Sequence, residues 1–226
     1  MAVTKTRDSK RKGPAKPQRG RGRPQVRCDE ETRAVIVDAA RHAFAAGGFA
    51  GTGMDSVARA AGVSTKTLYR LFPNKTALFE GMVTERIEAL VSLVKLRACD
   101  GGDVEPALAE ALLACGELML DGEVIALQRV VAGESDKFPD IAETFFNKAI
   151  TPTQGALANW LRMQIKRGTI AVDDADIAAG MLLGMLALQP LRAAMFGHRP
   201  APGRKEIEQR AKTCAALFLR GCRREP

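Results

Sequence analysis

The sequence lacks the patterns by which secreted, zinc-binding and membrane-spanning proteins are recognised. Its five cysteines are scattered, odd in number and never spaced as Cys-x-x-Cys, which argues against a disulfide framework and a zinc site. No apolar signal-peptide core follows the basic N-terminus. The most apolar stretch, residues 177–191, is interrupted by Gln189 and Pro190 and falls short of the roughly 20 residues that span a bilayer. We therefore expect a cytoplasmic protein that does not insert into membranes.

The sequence also has little of the chemistry that enzymes need. It contains two histidines, His42 and His198, and it has neither a phosphate-binding glycine loop nor a nucleophile elbow. Asp173, Asp174 and Asp176 lie close together, but acids at a helix start are ordinary capping residues. We therefore predict no enzymatic activity, no cofactor and no metal.

Positive charge is concentrated at the N-terminus. Residues 1–27 contain ten lysines and arginines and one acid, so residues 28–226 account for only −1 of the formal net charge of +8. The N-terminal segment has no aromatic residue and cannot bury enough apolar surface to fold, which predicts a disordered basic arm. Any specific nucleic-acid binding must then come from a local site in the remaining chain, assisted by this arm.

The arm contains the run Arg19-Gly-Arg-Gly-Arg-Pro24, which is similar to the Gly-Arg-Pro core of AT-hook segments. In this interpretation Arg21 and Arg23 lie along a narrow, A·T-rich minor groove. The alternative is a tail that adds only nonspecific, salt-sensitive attraction to phosphates. We favour this alternative because short basic motifs are weak signals.

Apolar residues recur at intervals of three and four along the rest of the chain, which predicts an all-α fold. Thr52 with Asp55 resembles a capping pair at a helix start, whereas Pro152 and Pro190 fall inside predicted helices and should kink or split them. Left-handed helix ends are expected at Gly47, Gly48, Gly62 and Gly168. The predicted helices span residues 30–46, 53–61, 65–72, 75–98, 105–120, 123–134, 139–168, 174–196 and 204–221.

The second and third predicted helices have the spacing of a helix-turn-helix. Ala58 and Ala61 permit close helix crossing, and Gly62 supplies the tight turn. Ser64 caps the following helix. The outward face of that helix carries hydroxyls and cations suited to phosphates and base edges, namely Thr65, Lys66, Thr67, Tyr69 and Arg70. The same pattern would also suit a three-helix packing unit with a solvated charged face.

The run from Phe44-Ala-Ala-Gly-Gly-Phe49 through Thr52 to Phe79 closely resembles the N-terminal domain of TetR/AcrR-type transcriptional regulators. The resemblance implies that Thr52 contacts a phosphate and that Thr65, Lys66 and Thr67 face bases. It also implies that Tyr69 and Lys75 clamp the DNA backbone. We therefore expect a helix-turn-helix DNA-binding domain at 28–76, followed by a larger helical regulatory and dimerisation domain at 77–226.

Apolar stripes on the last two predicted helices suit a symmetric four-helix interface between two copies of the chain. Two reading helices in a homodimer would recognise a pseudo-palindromic operator with half-sites about 34–36 Å apart. The alternative is that these stripes form the internal core. The candidate interface residues are Ile177, Met181, Gly184, Met185, Leu188, Ile207, Ala211, Cys214, Leu217 and Phe218.

The family resemblance further implies a small-molecule pocket in the second domain. The run Arg129-Val-Val-Ala-Gly-Glu-Ser with Phe138-Pro139 looks like one common C-terminal subtype. For each candidate, packing in the core is the alternative to lining a hydrophobic pocket. These candidates are Leu93, Leu112, Met119, Leu127, Gln128, Val131, Phe145, Asn159, Trp160 and Met163.

These observations predict a sequence-specific DNA-binding regulator whose effector is a small hydrophobic molecule. Repression is the commoner mode in the family that the chain resembles, so we expect a repressor that its ligand releases from the operator. The alternative is an architectural DNA-binding protein that has no ligand switch.

Overall fold

The computed structural model describes residues 27–98 and 103–222, with the backbone alone at residues 89, 93–98 and 222. Over these residues the chain forms ten α-helices and one π-helical turn, Phe146–Ile150, and no β-strand. The prediction of an all-α fold is confirmed. The helices are α1 Asp29–Gly51, α2 Met54–Ala60, α3 Thr65–Leu71, α4 Lys75–Ala98, α5 Val104–Met119, α6 Gly122–Glu134, α7 Pro139–Phe145, α8 Thr151–Lys166, α9 Ala175–Met195 and α10 Arg204–Cys222.

Two hydrophobic clusters hold the helices together. The first is centred on Phe44, Phe49 and Phe79, whose ring centroids lie 5.6–5.8 Å apart, and it also contains Leu68 of α3 and Ile141 of α7. The second surrounds the buried Trp160 and joins α5, α8, α9 and α10. Because the first cluster includes residues of α7, the three N-terminal helices pack directly on the helical bundle behind them.

The segment predicted as one helix over 139–168 consists of α7, the π-helical turn and α8. Pro152 lies in the first turn of α8, directly after the π-helical turn. A proline has no N–H to donate to the carbonyl four residues earlier, and its ring clashes with that carbonyl. The prediction that Pro152 interrupts the helix is therefore confirmed.

Pro190, by contrast, does not split its helix, because α9 continues through this residue. Pro190 leaves the carbonyl of Leu186 without its usual helical donor. The Arg210 side chain of α10 supplies a replacement, since its Nε donates to Leu186 O at 2.8 Å. A contact from a distant helix thus satisfies the backbone group that the proline leaves unpaired.

Glycine turns set the path of the first three helices. Gly62 has a φ of 65°, as predicted, whereas Gly47 is not among the glycines of positive φ. Gly48 has a φ of 71° but a ψ of 178°, so it is not in the left-handed helical conformation and instead kinks α1 before Phe49. A Cβ at Gly48 would also overlap Glu134 Oε1, so a side chain there would push this carboxylate aside. Gly168 confirms the predicted left-handed end of α8, with a φ of 74°.

Candidate functional site

Helices α2 and α3 form a compact two-helix unit joined by a tight turn. The Val63 N–H donates to Ala58 O at 3.0 Å across this turn, and Gly62 provides the left-handed conformation. Val57 and Leu68 are fully buried, so both helices are packed onto α1 through their inner faces. This packing fixes the angle at which α3 presents its outer face, as a helix-turn-helix requires.

The outer face of α3 is polar and open to solvent. Thr65 and Lys66 are exposed, and the Tyr69 side chain is 47% exposed. Ser64 caps the helix as predicted, because its Oγ accepts the Thr67 N–H at 3.1 Å. The Thr67 hydroxyl lies 2.8 Å from the same oxygen, so it faces the cap of its own helix. The free face therefore combines a helix N-terminus, a cation and a phenol, the groups that bind DNA phosphates and bases.

Arg70 also lies on the surface, but its guanidinium is paired within the chain. Its two terminal nitrogens each donate to an Asp29 carboxylate oxygen at 2.7 Å. This bidentate contact lowers the pKa of Asp29 below its ordinary value and raises that of Arg70. Arg70 thereby ties α3 to the start of α1, and a phosphate would have to compete with Asp29 for it.

The side chain of Thr52, the residue for which the family resemblance implies a phosphate contact, is turned into the protein. Thr52 is only 5% exposed, and its hydroxyl has two carbonyl acceptors within reach of its one proton, Gly48 O at 2.7 Å and Ala43 O at 3.0 Å. The predicted capping pair with Asp55 is also absent, since Gly53 precedes α2 and no side chain caps that helix. Thr52 instead closes the turn that leads from α1 to α2.

Lys75 has a similar internal role at the start of α4. Its ammonium donates to Phe49 O at 2.7 Å and to Thr52 O at 2.9 Å, and it lies 4.7 Å from the Phe49 ring centroid. These contacts occupy the cation that the family resemblance assigned to the DNA backbone. Lys75 therefore fixes the α1–α2 turn rather than presenting a free charge. Arg21 and Arg23 of the basic arm lie outside the residues that the structure describes.

The same turn is held from the other side by Glu134, at the end of α6. The Phe49 N–H donates to Glu134 Oε1 at 2.9 Å, and the Ala50 N–H donates to Oε2 at 2.7 Å. The ring of Phe138 packs edge-on against Phe49 with centroids 5.1 Å apart. The motif that resembles a C-terminal subtype thus contacts the end of α1, next to the two-helix unit of α2 and α3. Sequence reasoning noticed the motif but not this role, because the partners are backbone amides 84 and 85 residues away.

Arg129 of the same motif connects α6 to α9. Its Nε donates to Met195 O at 2.9 Å, and a terminal nitrogen donates to Ala194 O. These carbonyls belong to the last turn of α9, where a cation is favoured by the unpaired carbonyls and the helix dipole. Helix α6 is thus attached to α9 at one point and to the α1–α2 turn at another.

A cavity of about 280 Å³ lies between the DNA-binding unit and the bundle. Helices α1, α4, α5, α6, α8 and α9 all contribute to its wall. Of the predicted lining residues, Met119, Leu127, Gln128 and Phe145 line this cavity. A largely apolar, partly open pocket of this size suits a small hydrophobic ligand.

The other predicted pocket residues lie elsewhere. Leu112 and Trp160 are fully buried in the second hydrophobic cluster, while Met163 packs against it and Val131 against the first. Asn159 is exposed and accepts a hydrogen bond from Arg162. The side chain of Leu93 lies outside the described residues. Helical periodicity identifies inward-facing residues, but it does not separate those that meet other side chains from those that meet a cavity.

Charged residues at the cavity wall were not predicted. Arg41 of α1, Arg86 of α4 and Glu123 of α6 all line it. Glu123 Oε2 lies 3.4 Å from one Arg41 nitrogen and 3.2 Å from one Arg86 nitrogen, and Arg86 also pairs with Asp121 at 3.1 Å. No sequence spacing signals this cluster, since its members come from three separate helices.

Part of the predicted dimer face is exposed on α9 and α10. Among the described helices, α9 alone is long and apolar enough to cross a bilayer by length and composition, which is weak evidence for a span, and 44% of its apolar window is buried inside the protein. The exposed side of α9, which carries Ile177, Met181, Met185 and Leu188, belongs to this face, and Met181 on it is 65% exposed. The predicted interface residues that are exposed large hydrophobics are Ile177, Met181, Met185, Leu188 and Leu217.

The remaining candidates on α10 do not form such a face. Ile207, Ala211 and Cys214 are buried within a single chain, and Phe218 is partly buried against the same cluster. Ile207 occupies the space that a Cβ at Gly116 of α5 would need, which explains the close approach of the two helices. Because this stripe packs on α5 within one chain, it leaves little surface for a second copy.

The described residues contain no group of three or more His, Cys, Asp or Glu side chains placed to hold a metal ion. Burial raises the pKa of the Cys115 thiol to about 12, so this thiol stays protonated and is a packing residue.

Two family models match the chain. Residues 36–82 match the bacterial regulatory proteins of the tetR family, and residues 106–222 match the C-terminal domain of AefR-like transcriptional repressors. The second match alone covers more than half of the chain. No curated protein matches the sequence significantly.

Several solved structures are similar to this one. A protein from Mesorhizobium loti MAFF303099, described as a TetR-family transcriptional regulator, is 25% identical with a TM-score of 0.77, covering 88% of this chain and 100% of that one. The flavonoid-responsive regulator FrrA is 28% identical with a TM-score of 0.63, covering 87% and 100%. The fatty acid degradation regulator FadR from Bacillus halodurans is 18% identical with a TM-score of 0.64 over 83% and 98%, a likeness that shows the fold alone.

Proposed function

Because the chain belongs to the TetR family of transcriptional regulators, which bind DNA and are not enzymes, we propose that it is a cytoplasmic repressor acting as a homodimer. It binds a pseudo-palindromic operator and leaves it when a small hydrophobic molecule occupies the 280 Å³ cavity. The arm at 1–27 assists, residues 28–76 read the DNA, and residues 77–226 bind the ligand and the partner chain.

The observation that carries this proposal is the exposed outer face of α3. Thr65, Lys66 and Tyr69 are open to solvent on a helix whose inner face is locked by Leu68. A helix held in this way enters a major groove with a fixed orientation. Arg70 joins them when a phosphate displaces Asp29.

Two copies are needed to place two reading helices on one operator. The exposed apolar side of α9, which includes Ile177 and Met181, supports a symmetric contact with a second copy. Half-sites about 34–36 Å apart then match the two α3 helices on one side of the DNA.

Release requires that the ligand favour a conformation in which the reading helices are misplaced. Leu127 and Gln128 of α6 line the cavity, and the same helix ends at Glu134, which holds the α1–α2 turn. We propose that the ligand moves α6 and α4, and that the two reading heads tilt as rigid bodies. The flavonoid-responsive regulator FrrA, which has the same fold, supports a small organic molecule as the effector.

Operator affinity measured by fluorescence anisotropy tests this function. An operator selected from random DNA should bind about 10³-fold or more tightly than scrambled DNA at physiological salt. Lys66→Ala should weaken binding to both DNAs, and Lys166→Ala, which removes an exposed cation at the end of α8, should change neither. Equal affinity for the two DNAs would refute the regulator and favour an architectural protein.

A further inference from the structure

The cavity reaches the surface at the exposed side of α9. Gly184 and Leu188 line it, and both are among the residues that the sequence predicts for contact with a second copy. Leu188 is 48% exposed although it lines the cavity, as expected for a residue at the rim of an opening. Ile150 of the π-helical turn has the same two properties, since it lines the cavity and is 44% exposed. We call the opening between these three residues the mouth of the cavity.

The mouth is open because α9 presents no side chain at its centre. A Cβ placed on Gly184 would meet no atom of another described part of the chain within 4 Å. One turn earlier, a Cβ on Gly180 would lie 3.5 Å from the amide nitrogen of Gln154, which fills the corresponding gap between α8 and α9. The described residues of one chain therefore close the cavity beside Gly180 but leave it open beside Gly184.

The surface around the mouth is apolar and uncharged. Met181 and Met185 lie beside it on α9, and both are exposed. Residues 177–191, which form most of α9, contain no charged side chain. Contiguous exposed apolar surface of this kind marks interaction sites in soluble proteins. The mouth is thus part of a surface suited to contact with another protein.

These observations favour a second copy of the chain as the occupant of this surface. The chain belongs to a family of dimerising regulators. In a two-fold contact the same patch meets itself, so a charge on it would face a like charge, and the uncharged stretch of α9 avoids this repulsion. We propose that the partner copy, seated on the exposed side of α9, closes the mouth, so that the ligand site is complete only in the dimer. This inference rests on the proposed function and specifies how its cavity is closed.

Closure by the partner links ligand binding to dimerisation. In a single chain, the part of a bound ligand at the mouth faces water, whereas in the dimer that part is buried. Burial of about 50 Å² of apolar ligand surface corresponds to about tenfold tighter binding. Because linkage is reciprocal, two bound ligands then lower the dissociation constant of the dimer about a hundredfold.

Alkylation of Ile150→Cys by N-ethylmaleimide tests whether the partner covers the mouth. We expect the thiol of this variant to react at least tenfold more slowly in the dimer than in the monomer that a second change, Met181→Asp, produces. Met181 does not line the cavity, so Met181→Asp acts on the dimer face alone. The exposed Cys28 is the internal reference and should react equally fast in both proteins. Equal rates at position 150, or a Met181→Asp variant that remains dimeric, would overturn the proposal.

The wild-type chain provides a test that depends on no variant. N-Phenyl-1-naphthylamine is an uncharged apolar probe whose fluorescence rises in apolar surroundings. Sedimentation equilibrium with saturating probe should give a dimer dissociation constant about a hundredfold lower than without it. A probe that binds the exposed side of α9 itself would compete with the partner and raise this constant. An unchanged or raised constant, or no binding of the probe, would contradict closure by the partner.

Fluorescence titration of the same probe compares matched variants. Met181→Asp should bind the probe about tenfold more weakly than the wild type, because only the open site of a single chain remains. Ala132→Asp introduces the same charge at an exposed position of α6 outside the cavity wall, and it should bind like the wild type. A monomeric Met181→Asp variant that keeps the wild-type affinity refutes the proposal.

Operator binding, measured on the same preparations without the probe, separates this inference from the proposed function. A wild type that binds its operator specifically but whose dimerisation does not respond to the probe refutes closure by the partner alone. A response to the probe in a protein that does not distinguish its operator from scrambled DNA refutes the proposed function alone.

Discussion

Glu134→Gln tests how the bundle holds the DNA-binding domain. In the wild type, two adjacent backbone amides, those of Phe49 and Ala50, donate to the two carboxylate oxygens at 2.9 and 2.7 Å. A glutamine of the same shape offers one carbonyl oxygen and turns an NH₂ group, itself a donor, toward the second amide. One of the two hydrogen bonds is therefore lost, and the acceptor of the other becomes a neutral carbonyl instead of a charged carboxylate.

The expected cost follows from these contacts. A hydrogen bond to a charged group contributes about 1.5–3 kcal/mol. Because Glu134 is partly exposed, water compensates for some of the loss, and we expect the variant to lose about 1.5–3 kcal/mol in total. For a protein of this size that corresponds to a Tm lower by about 3–12 °C.

Thermal unfolding measures this difference, and amide hydrogen exchange locates it. Exchange should become faster at Phe49 and Ala50 in Glu134→Gln, while the buried bundle around Trp160 stays protected. Glu143→Gln, an exposed change on α7, is the matched control and should unfold like the wild type. The reasoning is refuted if Glu134→Gln has the stability of this control and unchanged exchange at the two amides.

Three further changes test other parts of the structure. Asp29→Asn should free Arg70 to contact a DNA phosphate, so nonspecific DNA binding should strengthen. The slope of log affinity against log salt concentration, measured by fluorescence anisotropy, should steepen by about 0.9. An unchanged slope would mean that Arg70 contacts no phosphate. Because Arg70 lowers the pKa of Asp29, the stabilising pair is complete at neutral pH and is lost as pH falls through that lowered pKa. Met181→Asp places a charge in the proposed dimer contact, so the variant should fold but be a monomer by light scattering. A dimer that persists would place the interface elsewhere. Iodoacetamide at pH 8 should modify the exposed Cys28 and spare Cys115, whose pKa of about 12 keeps it protonated. Peptide mass spectrometry measures the labelling, and a labelled Cys115 would contradict this prediction.

Local signals in the sequence predicted most of the helical architecture. The start of α4 at Lys75 and the turn glycine at 62 follow from capping, glycine chemistry and apolar spacing, which act over a few residues. Pro190 shows where such rules fail. Arg210, a residue of another helix, supplies the missing donor, and no residue near Pro190 in the sequence predicts this contact.

The candidate site was predicted less completely, for the same physical reason. The exposed residues of α3 could be assigned from one helix, whereas the roles of Thr52 and Lys75 depend on carbonyls of a neighbouring turn. Glu134 and Arg41 act across the boundary between the two domains, so their partners are known only once the chain is folded.

The central claim is that α3 reads a specific DNA sequence. Footprinting at about 0.15 M salt, on the DNA upstream of this protein's own gene, tests it most directly when Tyr69→Ala and the control Lys166→Ala are run beside the wild type. We predict that the wild type and the control protect one discrete pseudo-palindrome, and that Tyr69→Ala does not. Diffuse protection that salt removes and that survives in Tyr69→Ala would contradict the claim, because binding would then come from charge alone.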